Sequence, residues 1–196
     1  GETAARAAIG LGAMVKIFDN SLYKLQRIQN NLGRRVFTSV LSPITLSEEL
    51  KNADVVIGAI HSKTGRTPIV ISESMVLNMK PNSVIIDVSI DQGGCFETSQ
   101  MTNHDQPTIV KHDVIHYCVP NIASRVSRTA SMALSNILSN IMIQLQQAGG
   151  IKTLIQYSKG IRHGAYLFVG NLSNQHFSQI LGEKHVDLDL LFMNDL

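Results

Sequence analysis

Ser83-Val84-Ile85-Ile86-Asp87-Val88-Ser89-Ile90-Asp91-Gln92-Gly93-Gly94-Cys95-Phe96-Glu97 is the stretch that decides the fold. Residues 83–89 are mostly apolar without alternation, as in a strand buried on both faces of a parallel sheet. Gly93-Gly94 follows closely, so the strand runs into a tight turn whose backbone can approach a ligand. Open α/β sheets bind their ligands at the carboxyl ends of the strands. Asp91 stands just beyond such an end, where it can orient a substrate or share a proton. A polar turn with a capping aspartate is the alternative reading of the same residues.

Working outward, residues 54–60, 15–19 and 114–119 form further short apolar runs that read as strands, and 36–41 can be another. Helical segments separate them. Residues 2–10 are rich in alanine and closed by Gly10 and Gly12. Residues 21–32 carry Leu22, Leu25, Ile28 and Leu32 at helical spacing, with Gly33 as the stop. Residues 43–51 and 72–79 are shorter helical candidates. Strands alternating with helices predict an α/β, Rossmann-like doubly wound parallel sheet with its first strand missing, covered on both sides and joined by right-handed crossovers. The pattern changes after residue 126. Residues 127–147 form one long amphipathic helix with Leu134, Ile137, Leu138, Ile141 and Leu145 on one stripe. The rest reads as short helices and turns. The expected division is the α/β domain over 1–126 and a helical C-terminal segment over 127–196 that packs on something outside this chain.

Seventeen basic against fifteen acidic residues leave a net charge of +2, too even to argue for nucleic acid or a membrane surface. No apolar run reaches the about 18 residues of a membrane span, and no signal segment opens the chain. Cys95 and Cys118 lack metal-ligand spacing. Buried free thiols in a reducing compartment are the ordinary reading, with a disulfide or metal site as the alternative. These features predict a soluble cytoplasmic protein. The chain opens as the inside of a helix, without a preceding strand or cap, which predicts a piece of a longer protein.

Further segments can carry chemistry. The dinucleotide-binding pattern runs strand, Gly-x-Gly-x-x-Gly turn, helix, second strand, and an acidic residue about 20 positions on. Gly1 can be its third glycine, and Asp19 lies 18 positions later at the end of the next strand. Ala4, Ala5 and Ala8 let the helix pack closely, and Asp19 can accept hydrogen bonds from adenosine ribose hydroxyls. The alternative is an aspartate that begins a turn or caps the following helix. His116-Tyr117-Cys118-Val119-Pro120-Asn121-Ile122 offers backbone groups and the Asn121 amide to a nicotinamide carboxamide, or else forms a structural turn. The loop over 58–68, with His61, Lys63 and Arg66, can lie over a cofactor. A lone loop histidine such as His61 is ordinarily solvated, and no histidine pair has metal-ligand spacing.

Residues 84–97, together with 116–123 and 53–59, resemble the alanine dehydrogenases and their relatives, the alpha subunits of proton-translocating transhydrogenases. The resemblance runs collinearly over about residues 1–150 and is weak beyond. It implies NAD as cofactor, with Gly1 as the last glycine of the pyrophosphate turn, Asp19 as the ribose-binding acid and Lys24 near the adenosine. Ile60 and His61 would lie along the cofactor. Val88, Ser89, Ile90 and Asp91 would lie beside the nicotinamide ribose, and Val119, Pro120, Asn121 and Ile122 beside the nicotinamide. Asp91 matches the catalytic aspartate. The family's substrate-holding arginine and lysine and its histidine acid–base lie in an N-terminal domain absent from this chain. Residues 60–65 depart from the apolar, proline- and glycine-containing stretch of many members.

The resemblance implies reversible oxidative deamination of L-alanine to pyruvate and ammonia by hydride transfer, in a homo-oligomer that the family would make a hexamer, with this piece alone inactive. No metal, nucleic acid or membrane enters that expectation. The alternatives are a transhydrogenase alpha subunit, an opine-type dehydrogenase, or a non-catalytic NAD-binding module.

Overall fold

The computed structural model of the chain describes residues 1–62 and 65–193. Contacts divide it into two units, Gly1–Ile122 and Ala123–Leu196.

The first unit holds α1 (Glu2–Gly10), β1 (Lys16–Phe18), α2 (Leu22–Leu32), β2 (Phe37–Ser39), α3 (Pro43–Leu50), β3 (Val55–Gly58), α4 (Glu73–Val76), β4 (Val84–Asp87), β5 (Thr108–Lys111) and β6 (Val114–Tyr117). The helix ends follow from local chemistry. The Ser21 hydroxyl accepts the Lys24 N–H to start α2, and Gly33 ends it at φ 66°, where glycine bears no Cβ penalty. Proline stands in the first turn of α3, where its missing N–H costs nothing.

The strands make a parallel pair, β1–β2, and a four-stranded sheet in the order β3-β4-β6-β5. β3, β4 and β6 run parallel, so their carboxyl ends share one edge. The α/β, Rossmann-like architecture read from the sequence is the one observed. β5 was not among the expected strands. It pairs antiparallel with β6 through a two-residue turn, His112-Asp113, with φ of 54° and 58°. Paired positive φ values match the right-handed twist of a hairpin.

Two other expectations need correcting. β4 stops at Asp87 instead of continuing to residue 89, and Val88–Gln92 coils into a 3-10 turn. The Asp87 carboxylate causes this by accepting the Ser89 N–H at 3.0 Å, a side-chain bond that competes with strand geometry. The sheet is also not covered on both sides at β3, where Val55 and Ile57 are 54% and 39% exposed. Beneath the sheet a core of Leu46, Leu50, Val76, Ile85, Phe96 and Val114 is almost wholly buried. Each such side chain contributes roughly 1.5–3 kcal/mol on leaving water, so the frame that carries the strand ends is firm.

The second unit holds α5 (Ser127–Gln147), α6 (Ile151–Tyr157), α7 (Lys159–His163), β7 (Leu167–Phe168), β8 (Asn171–Leu172), α8 (Gln175–Leu181) and α9 (Leu188–Met193). Its small core joins Ile155, Phe168 and Leu188, with the Phe168 and Phe192 rings 5.0 Å apart. α5 buries none of its residues, and Leu134, Ile137 and Met142 on it are more than half exposed. No helix among the described residues is long and apolar enough to cross a membrane.

Candidate functional site

Parallel pairing aligns Gly58 of β3 with Asp87 of β4, and Ile86 of β4 with Tyr117 of β6. The loops that leave these strands therefore start side by side. The 3-10 turn over Val88–Gln92 lies between the other two loops and is tied to both. Ser89 Oγ accepts the Ile60 N–H at 2.8 Å. Gln92 closes a two-way bond with the Ser62 backbone, accepting its N–H at 3.1 Å and donating to its carbonyl at 3.0 Å. Asp91 Oδ1 accepts the Asn121 N–H at 2.8 Å. Asn121 itself holds a φ of 51°, a conformation that asparagine tolerates better than most residues. These bonds gather residues 60–62, 88–92 and 119–121 into one polar cluster at the edge where such sheets bind ligands.

Under the turn, Asp87 is 2% exposed. Its carboxylate accepts the Cys95 N–H at 2.9 Å and the Ser99 hydroxyl at 2.7 Å. Burial first, and the nearby Asp87 charge second, push the Cys95 thiol up to about 12, so this sulfur stays protonated. Burial likewise raises the Cys118 thiol above its ordinary value. Both cysteines are buried and free. Neither carries the lowered pKa of a nucleophilic thiol.

Glycine is required at two positions for steric reasons. A Cβ at Gly58 would lie 2.4 Å from Cys95 Sγ and 2.6 Å from a Phe96 ring carbon. Gly94 has φ 79°, and a Cβ there would lie 2.6 Å from Asp87 Oδ2. The close approach of β3 to Cys95 and Phe96 depends on the first, and that of the glycine turn to the Asp87 carboxylate on the second.

The remaining residues marked by the sequence divide by location. Ser89, Ile90 and Val119 are buried, and Ser89 spends its hydroxyl on the Ile60 N–H. Val88 and Ile122 are more exposed, at 38% and 37%. Pro120 is half-buried. His61 is exposed and makes no hydrogen bond or ion pair among the described residues; Lys63 lies outside them. Arg66 lies across Gly93, whose Cβ would fall 2.9 Å from Arg66 Cγ.

Asp19 follows the end of β1 and Lys24 stands in the first turn of α2. Asp19 Oδ1 accepts the Ser21 N–H at 2.8 Å, and Oδ2 pairs with Lys24 Nζ at 3.5 Å. Gly1 precedes α1 beside the end of β3, where an added Cβ would meet Ala59 Cβ at 3.7 Å, ordinary van der Waals contact. Sequence reasoning assigned no role to Asp87, Ser99 or the Gln92 amide. The available signal was a carboxylate closing an otherwise apolar strand, since buried charge demands partners. No group of three or more His, Cys, Asp or Glu among the described residues is placed to hold a metal ion.

Residues 1–175 match the family model described as alanine dehydrogenase/PNT, C-terminal domain. The chain is 42% identical over 149 residues to an alanine dehydrogenase of Mycolicibacterium smegmatis, covering 76% of this chain and 40% of that protein. It is 36% identical over 187 residues to an alanine dehydrogenase of Bacillus subtilis, covering 95% of this chain and 49% of that protein. Among solved structures, an L-alanine dehydrogenase superposes with a TM-score of 0.82 at 34% identity, covering 91% of this chain and 49% of that one. The chain thus spans about half, or less, of the length of the relatives it matches.

Proposed function

This chain belongs to the alanine dehydrogenase/PNT C-terminal domain family, and we propose that it is the NAD-binding part of an enzyme that reversibly deaminates L-alanine to pyruvate and ammonium. The observation that carries the proposal is the joining of Ile60, Ser89, Asp91 and Asn121 across adjacent strand ends by the Ser89–Ile60 and Asp91–Asn121 bonds. Residues 1–126 form the nucleotide-binding domain in this reading, and 127–196 belong with the substrate domain.

The residues present fit the two ends of a dinucleotide. A carboxylate closes β1, as ribose recognition requires. At the other end Gly93 and Gly94 keep side chains away from the turn, and backbone groups of 88–91 and 119–122 line the edge. Bound NAD would accept a hydride from the alanine α-carbon. Asp19 would hold the adenosine ribose. Residues 88–91 and 119–122 would hold the nicotinamide and its ribose and fix the face offered to substrate. Asp91 would position the substrate ammonium or the hydrolytic water and stabilise the charged imine. The reaction balances as alanine, NAD⁺ and water giving pyruvate, ammonium, NADH and one proton.

The unburied face of α5 supports assembly of the complete protein as a homo-oligomer, read by light scattering at assay concentration. The complete gene product, supplied with L-alanine and NAD, is expected to form NADH, and to consume it with pyruvate and ammonium. Binding of NADH with no turnover in either direction would reduce the reading to a nucleotide-binding module.

A further inference from the structure

Asp87 is a buried carboxylate whose hydrogen-bond partners among the described residues are all neutral. Each of its oxygens takes one backbone N–H: Oδ1 from Ser89 at 3.0 Å and Oδ2 from Cys95 at 2.9 Å. The Ser99 hydroxyl adds a donor to Oδ2 at 2.7 Å, and the Cys95 thiol a longer one to Oδ1 at 3.7 Å. The connections continue outward. Ser89 Oγ holds the Ile60 N–H, and the Cys118 thiol donates to Ser99 Oγ at 3.6 Å. One carboxylate therefore links the ends of β3, β4 and β6, directly beneath the cluster that carries Asp91.

From this network we infer that Asp87 is a positioning residue: it sets NADH affinity and hydride-transfer geometry by fixing the turn that bears Ser89 and Asp91 against Ile60 and residues 118–121. The inference rests on the cofactor site proposed above and adds a group that touches neither cofactor nor substrate.

An amide cannot take over this role. Asparagine offers one acceptor oxygen and one donor NH₂, while the site presents a backbone N–H to each carboxylate oxygen. In one orientation the NH₂ faces the Ser89 N–H, which opens the turn leading to Asp91. In the other it faces the Cys95 N–H, which displaces the Gly93-Gly94 segment. A buried donor left facing a donor is strongly unfavourable. The Ser99 hydroxyl, which can rotate to accept, gives no relief to either backbone group. Ser99→Ala is the milder change, because it removes one donor and leaves both backbone bonds in place.

The test uses the complete protein as wild type, Asp87→Asn and Ser99→Ala. NADH dissociation constant, kcat, alanine KM and Tm are measured below the melting range, with the folded fraction taken from near-ultraviolet circular dichroism. Asp87→Asn is expected to weaken NADH binding by about ten- to hundredfold, the size of effect that outer-shell groups have when they orient the residues holding a metal ion, and to lower kcat. Alanine KM should stay within about twofold, because the substrate carboxylate is held elsewhere. Ser99→Ala should move NADH affinity in the same direction by less. A lower Tm with wild-type affinity and kcat per folded molecule would make Asp87 merely structural and overturn the inference. If Asp87→Asn does not fold, Ser99→Ala decides, and unchanged NADH affinity overturns it. Wild-type protein that does not bind NADH removes the cofactor reading itself, and this inference with it.

Discussion

Replacing Asp91 by asparagine separates chemistry from architecture, because the structure shows what the carboxylate already does. Asp91 is exposed, and its Oδ1 accepts the Asn121 N–H at 2.8 Å. Asparagine keeps a carbonyl oxygen that can accept the same bond, so Asp91→Asn changes only a charged acceptor for a neutral one. At an exposed site that difference is about 1 kcal/mol or less, a Tm change of a few degrees at most. In the role proposed for Asp91, removing a positioned charge from the reacting centre would cost far more. A fall in kcat of about a hundredfold or more is expected, equivalent to about 2.7 kcal/mol of transition-state stabilisation. NADH affinity should change little, since the Asn121 tether survives. The assay is kcat for alanine oxidation, NADH dissociation constant and Tm on one preparation of the complete enzyme. Wild-type kcat in Asp91→Asn would refute a catalytic Asp91 and leave it as the tether of Asn121. A similar fall in Asp91→Ala, but with looser NADH binding, would show the tether as a separable contribution.

The complete enzyme is expected to prefer NAD to NADP, because the Asp19 carboxylate would repel a 2′-phosphate and the neighbouring Lys24 is already paired with it; equal kcat/KM for the two cofactors removes Asp19 from ribose recognition. The 196-residue chain is expected to show no alanine-dependent NADH formation, and turnover by the purified piece would refute the division of labour with an N-terminal domain. A pH effect follows from His116, which is fully buried, bonded through Nδ1 to the Val114 carbonyl at 3.0 Å and through Nε2 to Thr98 Oγ1 at 2.8 Å. Burial chiefly lowers its pKa; Lys111 and His112 act in the same direction, while the Val114 carbonyl and Asp87 oppose. An unfolded histidine takes its proton near 6.5 and the folded one only below that, so stability is complete above about pH 6.5 and is lost as pH falls toward the folded value. On going from pH 7 to 5.5, wild type should lose more stability in thermal unfolding than His116→Gln, by no more than about 1.4 kcal/mol per pH unit for one proton; equal losses would show that His116 is not held neutral.

The framework was legible from local pattern. Apolar runs at 54–60 and 83–89, each followed by a polar or glycine turn, predict a parallel sheet because a strand buried on both faces cannot alternate. Ser21 and Gly33 mark α2 because capping is a local bond and a local φ. β5 escaped because Thr108–Lys111 holds only two apolar residues, too short a run to mark a strand without its hairpin partner. β4 was read too long for another reason. Its last two expected residues, Val88 and Ser89, have strand-forming or neutral types, and only the preceding carboxylate bends them away.

Residue types alone placed Asp91 beyond a strand end and left it open whether it caps a turn or acts on substrate. They also joined 88–91 to 119–122 only through resemblance. The tertiary structure decided which backbone each polar group meets: Asp91 with Asn121, Ser89 with Ile60, Gln92 with Ser62. Those partners are about 30 residues apart in the chain, and no local propensity reaches that far. They come together because β3, β4 and β6 pair in parallel, which places their ends on one edge. The sequence by itself determined that there would be such an edge, because periodicity and turn chemistry act within a few residues. Only the packed sheet determined that the edge is held from below by Asp87, because a buried charge acquires its meaning from donors that folding alone delivers to it.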